Sequence, residues 1–141
     1  MTKKNNLSAD LEKKMFESAM IVQKNSYSPY SQYKVAASVL FNSGKIFAGI
    51  NVENASYGAT NCAERSAIFA AVSAGERKID AVLVLTNEKV PWAPCGLCRQ
   101  VIAEFANPNA IILLANQKGI QKKLLFSDVF PNSFDKKDLK L

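Results

Sequence analysis

Three cysteines and no histidine leave this chain of 141 residues with a single set of soft metal ligands: Cys62, Cys95 and Cys98. They fall in two short phrases, Asn61-Cys62-Ala63-Glu64 and Pro94-Cys95-Gly96-Leu97-Cys98. Thiolates select zinc over magnesium or calcium. Three protein ligands leave a fourth tetrahedral position open to water, and Glu64, two residues from the first ligand, can handle that water's protons. The chemistry expected of such a set is hydrolysis.

Each phrase also has a plainer reading. Asn61-x-x-Glu64 resembles a capping box, in which Glu64 would only close a helix start. Cys62 alone could be a small buried apolar residue. Cys95-x-x-Cys98 could be a dithiol redox pair, with Trp92 shortly before it. The redox pair has no use for Cys62, whereas one zinc site consumes all three cysteines. An odd cysteine count also argues against a disulfide framework.

The elements around these phrases follow from periodicity and punctuation. Ser8 or Asp10 can cap a helix to about Gln23, with Leu11, Met15, Ala19 and Val22 on one face. Val35 to Phe41 reads as a buried strand, Asn42-Ser43-Gly44 as a tight turn, and Lys45 to Asn51 as the hairpin partner. An irregular loop from Val52 to Thr60 leads to a helix from about Asn61 to Gly75. A strand is expected at Ala81 to Leu85 and a helix from Cys95 to Phe105, stopped by Asn107-Pro108. Strands at Ala110 to Ala115 and Gln121 to Phe126 flank a Lys118-Gly119 turn, and a short tail follows.

The order α-β-β-α-β-α-β-β predicts an α/β fold: a three-layer α/β/α sandwich around a central mixed five-stranded sheet. Helices linking consecutive strands should make right-handed crossovers. Both cysteine phrases then lie where a strand end meets a helix start, the usual ligand position in open α/β sheets. Helix starts carry unpaired N–H groups and partial positive charge, which stabilise thiolates. Cys95 and Cys98, three apart, share one face of a turn.

Residues 1–141 are expected to form one domain with a polar N-terminal tail at 1–7, burying ~68–70% of the surface of the unfolded chain. The apolar fraction of 48% fits a packed core. No long apolar span and no apolar signal core occur, so the expectation is a cytoplasmic protein with no membrane partner. The formal charge is +6. Its lysines are scattered in pairs such as Lys13-Lys14 and Lys122-Lys123, which reads as solvated surface rather than a nucleic-acid footprint.

The chain resembles the cytidine deaminases of the small, homotetrameric, three-cysteine class, from about Tyr27 to Leu139. The likeness rests on Tyr27-Ser28-Pro29-Tyr30-Ser31, Asn51-Val52-Glu53-Asn54-Ala55-Ser56-Tyr57, Cys62-Ala63-Glu64-Arg65 and Pro94-Cys95-Gly96-Leu97-Cys98-Arg99-Gln100. It implies one zinc ion per subunit on Cys62, Cys95 and Cys98. Glu64 would carry protons between water, N3 of the pyrimidine and departing ammonia, giving uridine from cytidine and deoxyuridine from 2′-deoxycytidine in pyrimidine salvage. The N–H of Ala63 would hold the base carbonyl, and Asn51 and Glu53 the ribose 3′-hydroxyl. Tyr57 and Phe134 would reach neighbouring subunits' sites in a homotetramer. Arg65 would hydrogen-bond the sulfurs and offset the formal −1 of a three-thiolate zinc centre.

Three positions depart from the pattern. Tyr33 stands where a phenylalanine commonly stacks on the base, Ala36 replaces glycine, and Leu97 replaces a smaller residue. Two rival readings remain at this point. A blasticidin S-type deaminase shares the zinc site, although Asn51-Val52-Glu53-Asn54 favours a ribose. A structural zinc module binding RNA would need a fourth protein ligand, and the chain has no spare cysteine or histidine.

Overall fold

The structure, a computed structural model, describes residues 7–140. The expected polar tail at 1–7 lies outside them except for Leu7, which packs against a hydrophobic cluster. The first helix, α1 (Ala9–Gln23), is capped by Ser8, whose hydroxyl accepts from the Leu11 N–H at 3.2 Å. Its expected face is the buried one: Met15 and Ala19 are fully enclosed, with Leu11 and Val22 beside them.

A hairpin follows, β1 (Ala36–Phe41) and β2 (Ile46–Ile50), turning through Gly44 at φ +88°. Only a residue without Cβ takes that conformation cheaply. Next come α2 (Ala63–Ser73), β3 (Ile79–Leu85), α3 (Gly96–Phe105), β4 (Ala106–Asn116), β5 (Gly119–Leu125) and a four-residue helix, α4 (Phe126–Val129). The sheet order is β2-β1-β3-β4-β5, parallel at β3–β4 and antiparallel elsewhere. This is the mixed five-stranded sheet expected from the element order.

Alternation along the strands sends side chains to two cores. Val39, Phe41, Val82, Val84, Ile112 and Leu114 pack under α2, α3 and α4. Leu40, Leu83, Leu85 and Leu113 share the other face with Met15 and Ala19 of α1. Helices thus cover both faces, as a three-layer sandwich requires. Among the described residues no helix is long and apolar enough to cross a membrane.

Several boundaries differ from expectation. β4 begins at Ala106, directly after α3, not at Ala110. Its pairing with β3 jumps from Ile79–Ala106 to Ala81–Ile111, so the stretch around Pro108 bulges out of the ladder. A proline without an N–H is tolerated at such an irregularity. The expected C-terminal tail contains α4 and a 3₁₀ turn, Lys136–Leu139, closed by a capping box from Asp135 to Asp138.

One close approach fixes α2 on the sheet. A Cβ on Gly49 of β2 would lie 2.5 Å from the Ala67 nitrogen and 2.8 Å from the Ala63 oxygen. Helix backbone and strand backbone touch there, which sets the position of the α2 N-terminus. At the other end, Gly75 at φ +103° terminates the helix, and the N–H groups of Gly75 and Glu76 satisfy the carbonyls of Val72 and Ala71.

Candidate active site

Two helix starts converge beyond the carboxyl end of β3. Cys62 is the residue preceding α2, Cys95 the residue preceding α3, and Cys98 lies in the first turn of α3. Their three Sγ atoms all lie within 4.8 Å of one another, with Cys62 and Cys95 at 3.6 Å. Sulfurs bound to one tetrahedral zinc at ~2.3 Å sit about 3.8 Å apart. The donor set therefore fits zinc in both chemistry and spacing.

Electrostatics around the sulfurs favours a cation. Contact with Cys98, then with Arg65 and Cys95, outweighs burial and lowers the Cys62 thiol well below its ordinary range. Cys98 is pushed up by that neighbouring sulfur and by its own burial. A divalent ion held by these sulfurs would relieve that repulsion and favour both as thiolates. The Arg65 Nη2 donates to the Cys62 Sγ at 3.4 Å. Burial works against the guanidinium charge, but its contacts with Cys62 and Cys98 prevail and hold it positive.

Glu64 occupies the first turn of α2 and is 3% exposed. Burial, reinforced by the Cys62 charge, raises its carboxyl above the ordinary carboxylate range. The alternative capping box does not form. Cys62 takes the cap position without a side-chain bond, and the Asn61 amide instead donates to the Ser66 hydroxyl at 3.1 Å. Freed of a capping role, Glu64 faces a cavity of about 290 Å³ that also contains Cys62, Cys95, Ala63, Tyr33, Asn51 and Glu53.

The far end of that cavity is a polar rim. Glu53 accepts from the backbone N–H of Tyr30 at 2.9 Å and of Ser31 at 3.1 Å, and from the Ser31 hydroxyl. The Ser31 hydroxyl is the main reason its carboxyl lies below the ordinary range. Asn51 is buried, donating to the Tyr33 carbonyl at 2.8 Å and accepting from the Val35 N–H at 3.1 Å and the Ser26 hydroxyl. It holds the segment leading into β1, which presents Tyr33. Ser31, Glu53 and Thr60 also line a second, open cavity with Tyr30 and Tyr57, so the rim is where the site meets solvent.

Two expected residues stand apart. Tyr57 is 76% exposed, edge-on to Tyr30, and lines only the outer cavity. Phe134 is exposed and lines neither cavity, though its carbonyl accepts from Gln100 of α3 at 2.9 Å. Of the three departures, Leu97 points outward at 67% exposure, so its size disturbs no packing. Ala36 is fully buried in β1. Tyr33 is half-exposed, which relieves its hydroxyl of the need for a buried partner.

Sequence reasoning missed the apolar side of the cavity: Val35, Val84 and above all Trp92. The Trp92 ring meets Tyr33 edge-to-face with centroids 4.8 Å apart. Its position three residues before Cys95 was the available signal.

Comparison with known proteins agrees with this arrangement. Residues 9–114 match the family model for the cytidine and deoxycytidylate deaminase zinc-binding region. A cytidine deaminase of Sporosarcina psychrophila is 43% identical over 130 residues, covering 92% of this chain and 95% of that protein. One from Halalkalibacterium halodurans is 39% identical over 125 residues, covering 89% and 95%. The solved structure of cytidine deaminase from Burkholderia pseudomallei superposes with a TM-score of 0.82 at 40% identity, covering 91% of this chain and all of that one.

Proposed function

The chain belongs to the cytidine and deoxycytidylate deaminase family, and we propose that it hydrolyses the amino group from C4 of the free nucleosides cytidine and 2′-deoxycytidine. Water adds at C4, the C4–N bond breaks, and uridine or deoxyuridine leaves with ammonia. The observation that carries this reading is the shared cavity of three clustered sulfurs and one buried carboxyl.

Cys62, Cys95 and Cys98 hold zinc, one ion per subunit, and Arg65 keeps the sulfurs paired with positive charge. When bound there, zinc would supply Lewis acidity that lowers the pKa of water toward 7. Glu64 accepts a proton from the attacking water and donates it to N3, then accepts the proton of the hydroxyl formed at C4 and passes it to the departing nitrogen as the C4–N bond breaks. The unpaired N–H of Ala63, at the start of α2, holds the base carbonyl. Tyr33 offers its ring to the base. Asn51 and Glu53 lie at the sugar end, where the Glu53 carboxylate accepts from a 3′-hydroxyl and repels a 3′-phosphate. A free nucleoside is thereby preferred to a polynucleotide, whatever the net positive charge.

The exposed rings of Tyr57 and Phe134 support a homotetramer in which neighbouring subunits complete the sites. The setting is pyrimidine salvage in the cytoplasm. The test mixes purified protein with cytidine and follows the ultraviolet change to uridine, with and without a zinc chelator. Glu64→Gln is expected to keep its fold and zinc while losing about 10²–10⁴-fold in turnover. Undiminished conversion by that variant refutes the proton role.

A further inference from the structure

We propose that Trp92 is a specificity-determining residue that closes the cavity along the C5–C6 edge of the pyrimidine and discriminates against substituents at C5. This rests on the nucleoside reading of the same site.

The assignment follows from the edges of a six-membered base. Its C4 must meet Glu64 and the sulfurs, because the reaction happens there. Its N1 carries the sugar toward the polar rim of Glu53 and Asn51, where the cavity opens. The N3–O2 edge is polar and requires the groups at the α2 start, Ala63 and Glu64. That leaves C5–C6, an edge of C–H bonds, which calls for an apolar wall.

Trp92 has the right orientation and origin for that wall. Its plane lies 70° from that of Tyr33, so the two rings form a corner. A base stacked on one ring presents an edge to the other. Trp92 comes from the segment that leads into Cys95, on the α3 side of the cavity, rather than from α2 with its polar groups. With 38% of its surface exposed, it retains apolar area for a ligand.

The wall is also fixed in place, as discrimination by size requires. The Lys89 carbonyl accepts from Asn116 at 3.1 Å, and the Pro94 carbonyl accepts from the Arg99 Nε at 2.7 Å. These bonds bracket Trp92 on both sides. At the start of the segment, Asn87 accepts from Gln23 at 2.8 Å and from Gln117 at 2.6 Å, tying it to α1 and to the β4–β5 turn. Gln23 also donates to the Lys34 carbonyl at 3.0 Å, next to Tyr33. One buried amide thus ties together the two segments that carry the rings.

The test compares kcat/KM for cytidine, 5-methylcytidine and 5-ethylcytidine in the native protein and in Trp92→Ala. Electronic effects of the alkyl group cancel when the two proteins are compared. The native enzyme should disfavour the ethyl compound by about 10–200-fold, the range that one or two carbons command in a fitted pocket. Trp92→Ala should bring the compounds within roughly threefold of one another, a collapse of that same discrimination. An equal preference in both proteins overturns the inference.

Trp92→Phe, which keeps an aromatic plane of smaller reach, should fall between them, and it serves if the alanine variant does not fold. Trp92 is the chain's only tryptophan, so titration of the native enzyme with uridine should change its emission. Turnover of cytidine with no such change also overturns the inference. An emission change without any cytidine turnover would leave Trp92 beside a ligand but sink the deaminase reading on which its role depends.

Discussion

On the proposed reading, Arg65 is the side chain that lets three thiolates serve a hydrolytic metal. Its Nη2 reaches the Cys62 sulfur, placing a permanent charge against a centre that would otherwise be net negative. Arg65→Ala should weaken zinc affinity or turnover by about 10–100-fold, measured by competition with a chromogenic chelator and by initial rates. Unchanged affinity and rate would remove the guanidinium from the metal's chemistry. Ser31 performs a comparable service for Glu53. The folded-state pKa of Glu53 lies below its ordinary value, so the stabilisation from these bonds is present above pH ~4.3 and is lost as pH falls through the lowered value. Ser31→Ala should move the Glu53 carboxyl upward in an NMR titration and raise KM for cytidine about fivefold, the effect of one hydrogen bond. A carboxyl that titrates as before would show that the backbone N–H groups alone set it. The cysteine cluster, with Glu64 and Arg65 placed beside it, was legible from spacing because these residues are local to two helix starts. Trp92 and Gln23 were not, since an aromatic wall and an amide junction exist only after distant segments meet.

At the scale of elements, the least replaceable contact has no side chain in it. Gly49 lets β2 lie against α2 with backbone touching backbone, and the atoms a Cβ would strike belong to Ala63 and Ala67. Neither can swing aside as a side-chain tip could. Gly49→Ala must lift α2 from the sheet, taking Cys62 and Glu64 with it. The expected loss is about 1–3 kcal/mol in denaturant unfolding, as for overpacking of a filled core, together with weaker zinc binding. Full stability with native metal affinity would mean that α2 is free to shift. No propensity scale flags this glycine, because its surroundings are far away in sequence. The same limit explains β4. Asn107-Pro108 read as a helix stop, and α3 does end at Phe105, but the strand starts at once at Ala106 and bulges around Pro108 instead of waiting for Ala110. The helix α4 escaped notice for a different reason: four residues are too few to show a period. By contrast, Ser8, Gly44 and Gly75 punctuate the chain through local backbone chemistry, and the structure uses all three as the sequence suggests.

For the molecule as a whole, the metal site is also a clasp. Cys62 precedes α2 and Cys95 and Cys98 begin α3, and both helices pack on one face of the sheet. In the unfolded chain these sulfurs are separated by the whole of α2 and β3. Zinc therefore binds the native arrangement far better than the unfolded one, and its binding free energy appears as folding stability. At free zinc a thousandfold above the dissociation constant, the contribution is about 4 kcal/mol. For a domain of this size that corresponds to roughly 14 °C in Tm. Chelation should lower the melting temperature by that order, and re-addition of zinc should restore it. The effect carries a sign in pH as well. The ligands bind as thiolates, so zinc displaces protons, and the stabilisation present at pH 7 fades as the solution is acidified. Cys98→Ser supplies the control, because its melting should respond little to zinc or chelator at any pH. A native protein whose melting ignores chelation, while the metal is verified as removed, would mean that the sheet alone holds the two helix starts together.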